Sequence, residues 1–329
     1  MKDFAGKMAV VTGGGTGMGR ELVRQLIAAG AHVAICDVSF DNMAETARLA
    51  GPKPGQRLTA HRCDVSDESQ VLEFCSEVKT QHEVAHINLL FNNAGIGGGG
   101  QFVNGDREQW ERTFAVCWYG VYYSCRAFMD LLVASEEGHI INTSSVNGFW
   151  ATIGPDVSHT AYAAAKFAVK GFTEALVTDL RINAPHVKVS VVMPGHIGTS
   201  IALNTSKVLG IGGPLEMDSA KVQAVRERMS AAGLPVDNVP DEHIREMLHQ
   251  RALDFREKAP MTAADAATVI LDGVRDGRWR ILVGEDAHAL DKMVRKDPES
   301  AYEPDFIERL YAAGHFGGLP STGQKLSEF

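Results

Sequence analysis

A chain of 329 residues, 45% hydrophobic and 22% charged, is long enough and apolar enough to bury a substantial core, which sets aside disordered and fibrous classes. Its net charge of -9 leaves no general attraction toward phosphate backbones or anionic lipid, so neither nucleic acid nor a membrane surface is expected as a partner. Five cysteines (Cys36, Cys63, Cys75, Cys117 and Cys125) form an odd set with no C-x-x-C pair and read as reduced thiols. Residues 1–7 lead directly into a short apolar strand, and no later run reaches membrane-spanning length; the expected location is cytoplasmic.

In chain order, runs rich in branched residues predict strands from Met8 to Thr12, His32 to Asp37, Leu58 to Cys63, Ile87 to Phe91, His139 to Thr143, Lys188 to Met193 and Arg280 to Val283. Helical periodicity fills the intervals from Gly17 to Ala29, Asp41 to Leu49, Glu68 to Thr80, Asp106 to Val133, His159 to Arg181 and Ala263 to Arg275. This alternation predicts an α/β fold, doubly wound, with a seven-stranded parallel sheet covered by helices on both faces. Residues 200–260 interrupt the rhythm just after a strand's carboxyl end, where an insertion covers the ligand crevice as a lid. Residues 285–329, with Pro298, Pro304 and Pro320, read as an extension packed on the surface or on a partner subunit. The whole chain, 1–329, is expected to be one domain.

The segment Thr12-Gly13-Gly14-Gly15-Thr16-Gly17-Met18-Gly19 follows a strand and opens a helix. Glycines there let the backbone turn tightly and let a pyrophosphate approach the positive helix terminus, the arrangement of a Rossmann-like dinucleotide site. Asp37 closes the second strand, where a carboxylate accepts hydrogen bonds from ribose hydroxyls and repels a 2′-phosphate. With no lysine or arginine at Val38, Ser39 or Phe40, NAD is favoured over NADP. Asp64 and Val65 either border the adenine or only punctuate the start of a helix.

Tyr162 and Lys166 stand four apart in a helical stretch and so share one face. An ammonium beside a phenol, with a cationic nicotinamide nearby, favours the phenolate and makes the tyrosine able to exchange a proton with a substrate oxygen. These segments together resemble the short-chain dehydrogenase/reductase family. Thr12, Gly13, Gly17 and Gly19 are similar to its cofactor turn, with Thr16 and Met18 inside that turn, and Asn92-Asn93-Ala94-Gly95 to its fourth-strand motif. Ser144-Ser145-Val146-Asn147-Gly148 resembles its catalytic serine segment, and Pro194-Gly195 with Thr199 its nicotinamide-side loop. The resemblance covers about residues 5 to 200. It implies that Tyr162 is the general acid/base, that Lys166 lowers its pKa and holds the nicotinamide ribose, and that Ser145 binds the substrate oxygen. It further implies that Ile197 and Thr199 contact the carboxamide, and that the protein is a homodimer or homotetramer. Ser144 is assigned a backbone bond instead.

One position departs from the family pattern: Cys117 stands where an asparagine usually holds a proton-relay water, and a thiol is a weaker hydrogen-bond partner than an amide. The expected function is hydride transfer between NAD and a secondary alcohol or ketone, a bulky apolar one if Phe149, Trp150, Ile153, Leu203, Leu209 and Met217 line the pocket. Alternatives are a nucleotide-binding regulatory protein with little turnover, an NADPH-dependent carbonyl reductase, or a dehydratase or epimerase on the same scaffold. His82-Glu83-Val84-Ala85-His86 fits the zinc pattern H-E-x-x-H, but a buried strand begins at once, so no metal is expected.

Overall fold

Apolar strands pair edge to edge here because helices on both faces exclude water, leaving neighbouring strands to take up the backbone N–H and C=O groups. The computed structural model describes residues 1–153, 158–231, 234–312 and 314. Its elements run β1 (Met8–Thr12), α1 (Gly17–Ala28), β2 (His32–Asp37), α2 (Phe40–Ala50), β3 (Leu58–Arg62), α3 (Glu68–His82), β4 (Leu89–Asn92) and α4 (Arg107–Phe114). They continue with α5 (Gly120–Val133), β5 (Gly138–Thr143), α6 (Thr160–Asn183), β6 (Val187–Pro194) and β7 (Ile197–Gly198). The remainder comprises α7 (Ile201–Val208), α8 (Ser219–Ala231), α9 (Asp241–Glu257), β8 (Met261–Thr262), α10 (Ala263–Arg275), β9 (Arg280–Val283), α11 (Glu285–Lys296) and α12 (Phe306–Ala312).

The seven main strands form one parallel sheet in the order β3-β2-β1-β4-β5-β6-β9, as the alternation predicts. Side chains alternate between faces along each strand. Val10, Leu90 and Ile140 pack with Phe74, Phe128 and Val169 of α3, α5 and α6, while Val11, Phe91 and Ile141 pack with Leu26 of α1 and Ile270 of α10. Strand order reverses between β1 and β4, and the carboxyl ends of those two strands open the crevice a ligand enters.

Three features differ from the expected pattern. The helix predicted from Asp106 to Val133 is interrupted by a π turn at Ala115–Tyr119, which joins α4 to α5 and contains Cys117. An added residue per turn leaves little trace in hydrophobic spacing, and such turns recur at functional sites. The segment from 199 to 260 is tied at its base by the two-residue pair β7–β8, too short to show a period of two, and it has a small core of its own built on Val222, Val225, Met229, Val236 and Ile244. Met217 belongs to that core, and Leu209 packs on the main core.

Trp150 faces the C-terminal segment. Its ring lies 5.6 Å from Phe306, and its Nε1 donates to the Ala301 carbonyl at 2.7 Å. It thereby fastens the loop after β5 to residues about 150 positions later instead of lining an open pocket. The backbone N–H of Ala151 donates to the Tyr302 hydroxyl at 3.1 Å, a second tie of the same kind. Pro320, named above, lies outside the described residues, as do Pro155 and Asp156 in the stretch between Gly148 and Tyr162. Among the described residues, no helix is long and apolar enough to cross a membrane.

Candidate active site

The crevice begins at the glycine turn between β1 and α1. Gly13 and Gly17 take φ of 65° and 53°, the left-handed region that glycine enters without a Cβ penalty. A Cβ on Gly19 would lie 2.0 Å from the Gly13 carbonyl oxygen, so α1 sits directly on the turn and only glycine fits there. Opposite, Thr12 Oγ1 accepts from the backbone N–H groups of Asn93 and Ala94 at 3.0 and 3.1 Å. Asn93 Nδ2 reaches the carbonyls of Thr12 and Gly13 at 3.2 and 3.3 Å. The two strand ends flanking the switch point are thus sewn together by the side chains the sequence motifs supply.

Between them lies a cavity of about 380 Å³, bordered at the turn by Gly13, Thr16, Gly17 and Met18 and opposite by Asn93, Ala94 and Gly95. Asp37, Asp64, Val65 and Thr199 also line it. The remaining loop residues, Gly19, Pro194, Gly195 and Ile197, are not on that wall. Pro194 ends β6, Gly195 donates its backbone N–H to the Val283 carbonyl at 2.9 Å, and Ile197 is buried in β7.

Asp37 accepts from the backbone N–H of Gly15 and of Ser39, each at 3.0 Å. Burial raises its pKa, and these two N–H groups offset that only in part. The carboxyl of Asp64 is also partly buried, which works against its charge, but the Arg112 guanidinium and the Ser66 hydroxyl outweigh burial and hold it below the usual range. Arg112, unremarked in the sequence, stands on α4 and borders the cavity.

Beyond Gly95 the crevice adjoins a second, drier group of side chains: a Cβ on Gly95 would lie 3.6 Å from Lys166 Nζ and 3.8 Å from Cys117 Sγ. Tyr162 and Lys166 follow one another by a turn of α6, as their spacing predicts. Lys166 Nζ donates to the Thr143 carbonyl at 2.8 Å and stands 5.4 Å from the centroid of the Tyr162 ring. Ser145 caps the short turn Val146–Gly148, accepting from the Asn147 N–H at 3.1 Å, and its hydroxyl lies beside Tyr162, where it favours the ionised phenol. Ser144 turns away and donates to the Lys166 carbonyl at 2.7 Å, which separates the two serines as expected.

The electrostatics differ from the spacing argument. Burial pushes the Tyr162 phenol well above its ordinary value, Cys117 adds to the rise, and the Ser145 hydrogen bond only opposes it. Burial also lowers the pKa of Lys166. Both groups therefore resist charge in this environment, and a further positive charge would be needed to bring the phenolate within reach. Cys117 is fully buried in the π turn, where its thiol donates to the Ile96 carbonyl at 3.2 Å.

Contacts that the sequence did not reveal close the site. Asn204 Nδ2 on α7 donates to Thr16 Oγ1 at 2.9 Å, and Thr205 Oγ1 on the same helix accepts from the Gly97 N–H at 2.8 Å, so α7 spans from the glycine turn to the loop after β4. Buried Asp286 accepts from the His196 N–H at 2.6 Å, and the His196 ring bonds the Phe255 carbonyl of α9 at 2.7 Å. These pairs are separated by up to 188 positions and leave no local pattern to read. The residues of the H-E-x-x-H match do not share a helical face: Glu83 takes φ of 53° and ends α3, while His82 bonds Thr59 Oγ1 at 2.8 Å. Among the described residues, no three histidines, cysteines or carboxylates gather as a metal site.

Comparison with known proteins agrees with this geometry. Residues 7–208 match the short chain dehydrogenase family. A protein of Mycobacterium tuberculosis named SadH, an oxidoreductase by name, is 34% identical over 317 residues, spanning 95% of this chain and 97% of its own. Human epidermal retinol dehydrogenase 2 is 30% identical over 201 residues, 61% of this chain and 63% of its own. Among solved structures, a short chain dehydrogenase/reductase from Burkholderia phymatum in complex with NAD superposes with a TM-score of 0.70 at 28% identity, covering 92% of this chain and 98% of that one. A metagenomic short-chain oxidoreductase in complex with NADP gives 0.52 at 29% identity, covering 63% and 89%. The chain belongs to the short chain dehydrogenase family of oxidoreductases, whose members act on CH–OH or carbonyl groups.

Proposed function

We propose that the protein is an NAD-dependent dehydrogenase that interconverts a secondary alcohol and its ketone. The observation that carries this reading is the meeting of buried Ser145, half-buried Tyr162 and buried Lys166, with the Lys166 ammonium next to Gly95 on the cavity wall. The residues fit a dinucleotide. The glycine turn offers a helix terminus without side chains in the way, and Asp37 faces the cavity where it would accept from ribose hydroxyls and repel a 2′-phosphate. Thr199, Ile197 and the Pro194-Gly195 step would support the nicotinamide, and Asp64 and Val65 the adenine end. Lys166 would hold the nicotinamide ribose.

When bound, the nicotinamide accepts or returns the hydride of the carbinol carbon. Tyr162 takes the hydroxyl proton in the oxidative direction and gives it back in the reductive one, while the Ser145 hydroxyl steadies the same oxygen. Lys166 counters the negative charge on the phenol oxygen and, with burial opposing ionisation, confines the phenolate to the loaded site. The segment from 200 to 260 acts as a lid, with α7 as its inner surface. The part-exposed rings of Tyr119, Tyr122 and Phe167 favour packing against a second copy of the chain, as a homodimer or homotetramer.

A panel of secondary alcohols, followed by absorbance of the reduced cofactor with NAD and with NADP, tests the reading. Tyr162→Phe is expected to cut kcat by about a thousandfold while leaving the Kd for NAD within about threefold. Wild-type turnover by that variant would overturn the assignment.

A further inference from the structure

The entrance to α6 carries a side chain that the chemistry above does not use. His159, three residues before Tyr162, stacks its imidazole on the phenol ring with centroids 4.7 Å apart and planes 21° apart. Its pKa is lowered, chiefly by burial, and its one backbone hydrogen bond, to Gly97, opposes that only in part. The ring is therefore neutral at physiological pH, with one N–H and one lone pair. In the tautomer protonated at Nε2, Nδ1 keeps the lone pair. Nδ1 is buried and without a hydrogen-bond partner among the described residues.

The surroundings make this more than a loop contact. The loop after β4 is already pinned to the start of α6 without the imidazole: the Gly100 carbonyl accepts from the Thr160 N–H at 3.0 Å, from Thr160 Oγ1 at 2.9 Å and from Ser158 Oγ at 2.8 Å, and the Gly99 carbonyl accepts from the Ala161 N–H at 3.1 Å. An acceptor kept dry and unsatisfied costs free energy, and a binding site recovers that cost when a ligand supplies the donor.

The geometry points to a substrate-reading residue: we propose that His159 accepts a hydrogen bond from a second hydroxyl on the carbon next to the carbinol held by Tyr162 and Ser145. The preferred substrate is then a vicinal diol, or an α-hydroxyketone in the reductive direction. This rests on the dehydrogenase reading above. The balance is that of any secondary alcohol: the carbinol carbon loses a hydride to the oxidised cofactor and its hydroxyl loses a proton through Tyr162 to solvent. The second hydroxyl is unchanged.

Matched pairs test it: 1-phenylethane-1,2-diol against 1-phenylethanol, butane-2,3-diol against butan-2-ol, and trans-cyclohexane-1,2-diol against cyclohexanol. With NAD, kcat/KM for the diol is expected to exceed that for the mono-alcohol by about tenfold, the worth of one neutral hydrogen bond. His159→Phe keeps a ring against Tyr162 but has no acceptor, and should bring the ratio to about one. A readout independent of turnover is binding to the enzyme loaded with oxidised cofactor. There 2-hydroxyacetophenone should bind about tenfold tighter than acetophenone to wild type, and equally to the variant. A wild-type ratio near one, or a variant that keeps the preference, overturns the inference; should the variant fail to fold, the wild-type ratios and affinities decide alone. Oxidation without discrimination removes only the role of His159. If no alcohol in any pair is oxidised with either cofactor, the dehydrogenase reading falls and this inference falls with it.

Discussion

Lys166→Met separates a side chain retained for chemistry from one retained for stability. Lys166 is 2% exposed, its ammonium donates to a single carbonyl, that of Thr143, and among the described residues no carboxylate pairs with it. A buried ammonium with so few partners is a burden on the fold, and exchange for an apolar chain of similar length is expected to return about 1–3 kcal/mol. The Thr143 carbonyl then loses its donor, which costs about 1 kcal/mol, so the net is a gain of about 1 kcal/mol at pH 7. For a chain of 329 residues, with about 2.1 cal/mol/K of unfolding entropy per residue, that corresponds to a rise in Tm of about 1–2 °C.

The pH dependence carries its own sign. The folded pKa of Lys166 lies below the ordinary value, so the wild type bears a cost for the buried charge that is fully present only below the folded pKa. It sheds that cost as pH rises from the folded pKa toward the unfolded one, about 10.4. The advantage of the variant should therefore shrink at alkaline pH, which urea unfolding at pH 7 and at pH 9.5 would show. Turnover should be lost at both. A variant less stable than wild type at pH 7, or one whose advantage grew with pH, would refute this account of the site.

Two further substitutions probe the cavity and the π turn. Asp37→Ser removes the carboxylate proposed to meet the ribose, and kcat/KM should fall about tenfold with NAD while the NADP to NAD ratio rises by at least about tenfold; an unchanged ratio would dissociate Asp37 from cofactor choice. Cys117→Asn places an amide where the thiol donates to the Ile96 carbonyl, beside Lys166, and is expected to shift the pH profile of kcat. Identical profiles and identical kcat would exclude the Cys117 position from proton transfer.

Legibility in the sequence followed the range of the interaction. Each main strand and the helices between them were visible because their burial imposes a period on consecutive residues, and boundaries moved by only a residue or two, as where β4 starts at Leu89 and β3 stops at Arg62. The glycine turn and the pair Tyr162 and Lys166 were visible for the same reason, since their geometry is local. What stayed hidden was held by single bonds between remote side chains: Asn204 with Thr16, Asp286 with the His196 backbone, Arg112 with Asp64. The raised pKa of Tyr162 was hidden too, because burial is set by the whole fold and not by the lysine one turn away.

The Trp150 and Tyr302 ties place the segment from Ala301 to Phe306 in mechanical series with the loop that begins at Ser145. Access to the proposed reacting centre is thus expected to respond to changes in a segment about 150 residues away as well as in the centre itself. Substitutions at Tyr302 or Phe306 are therefore expected to alter kinetics through the loop after β5, without touching the residues of the site itself.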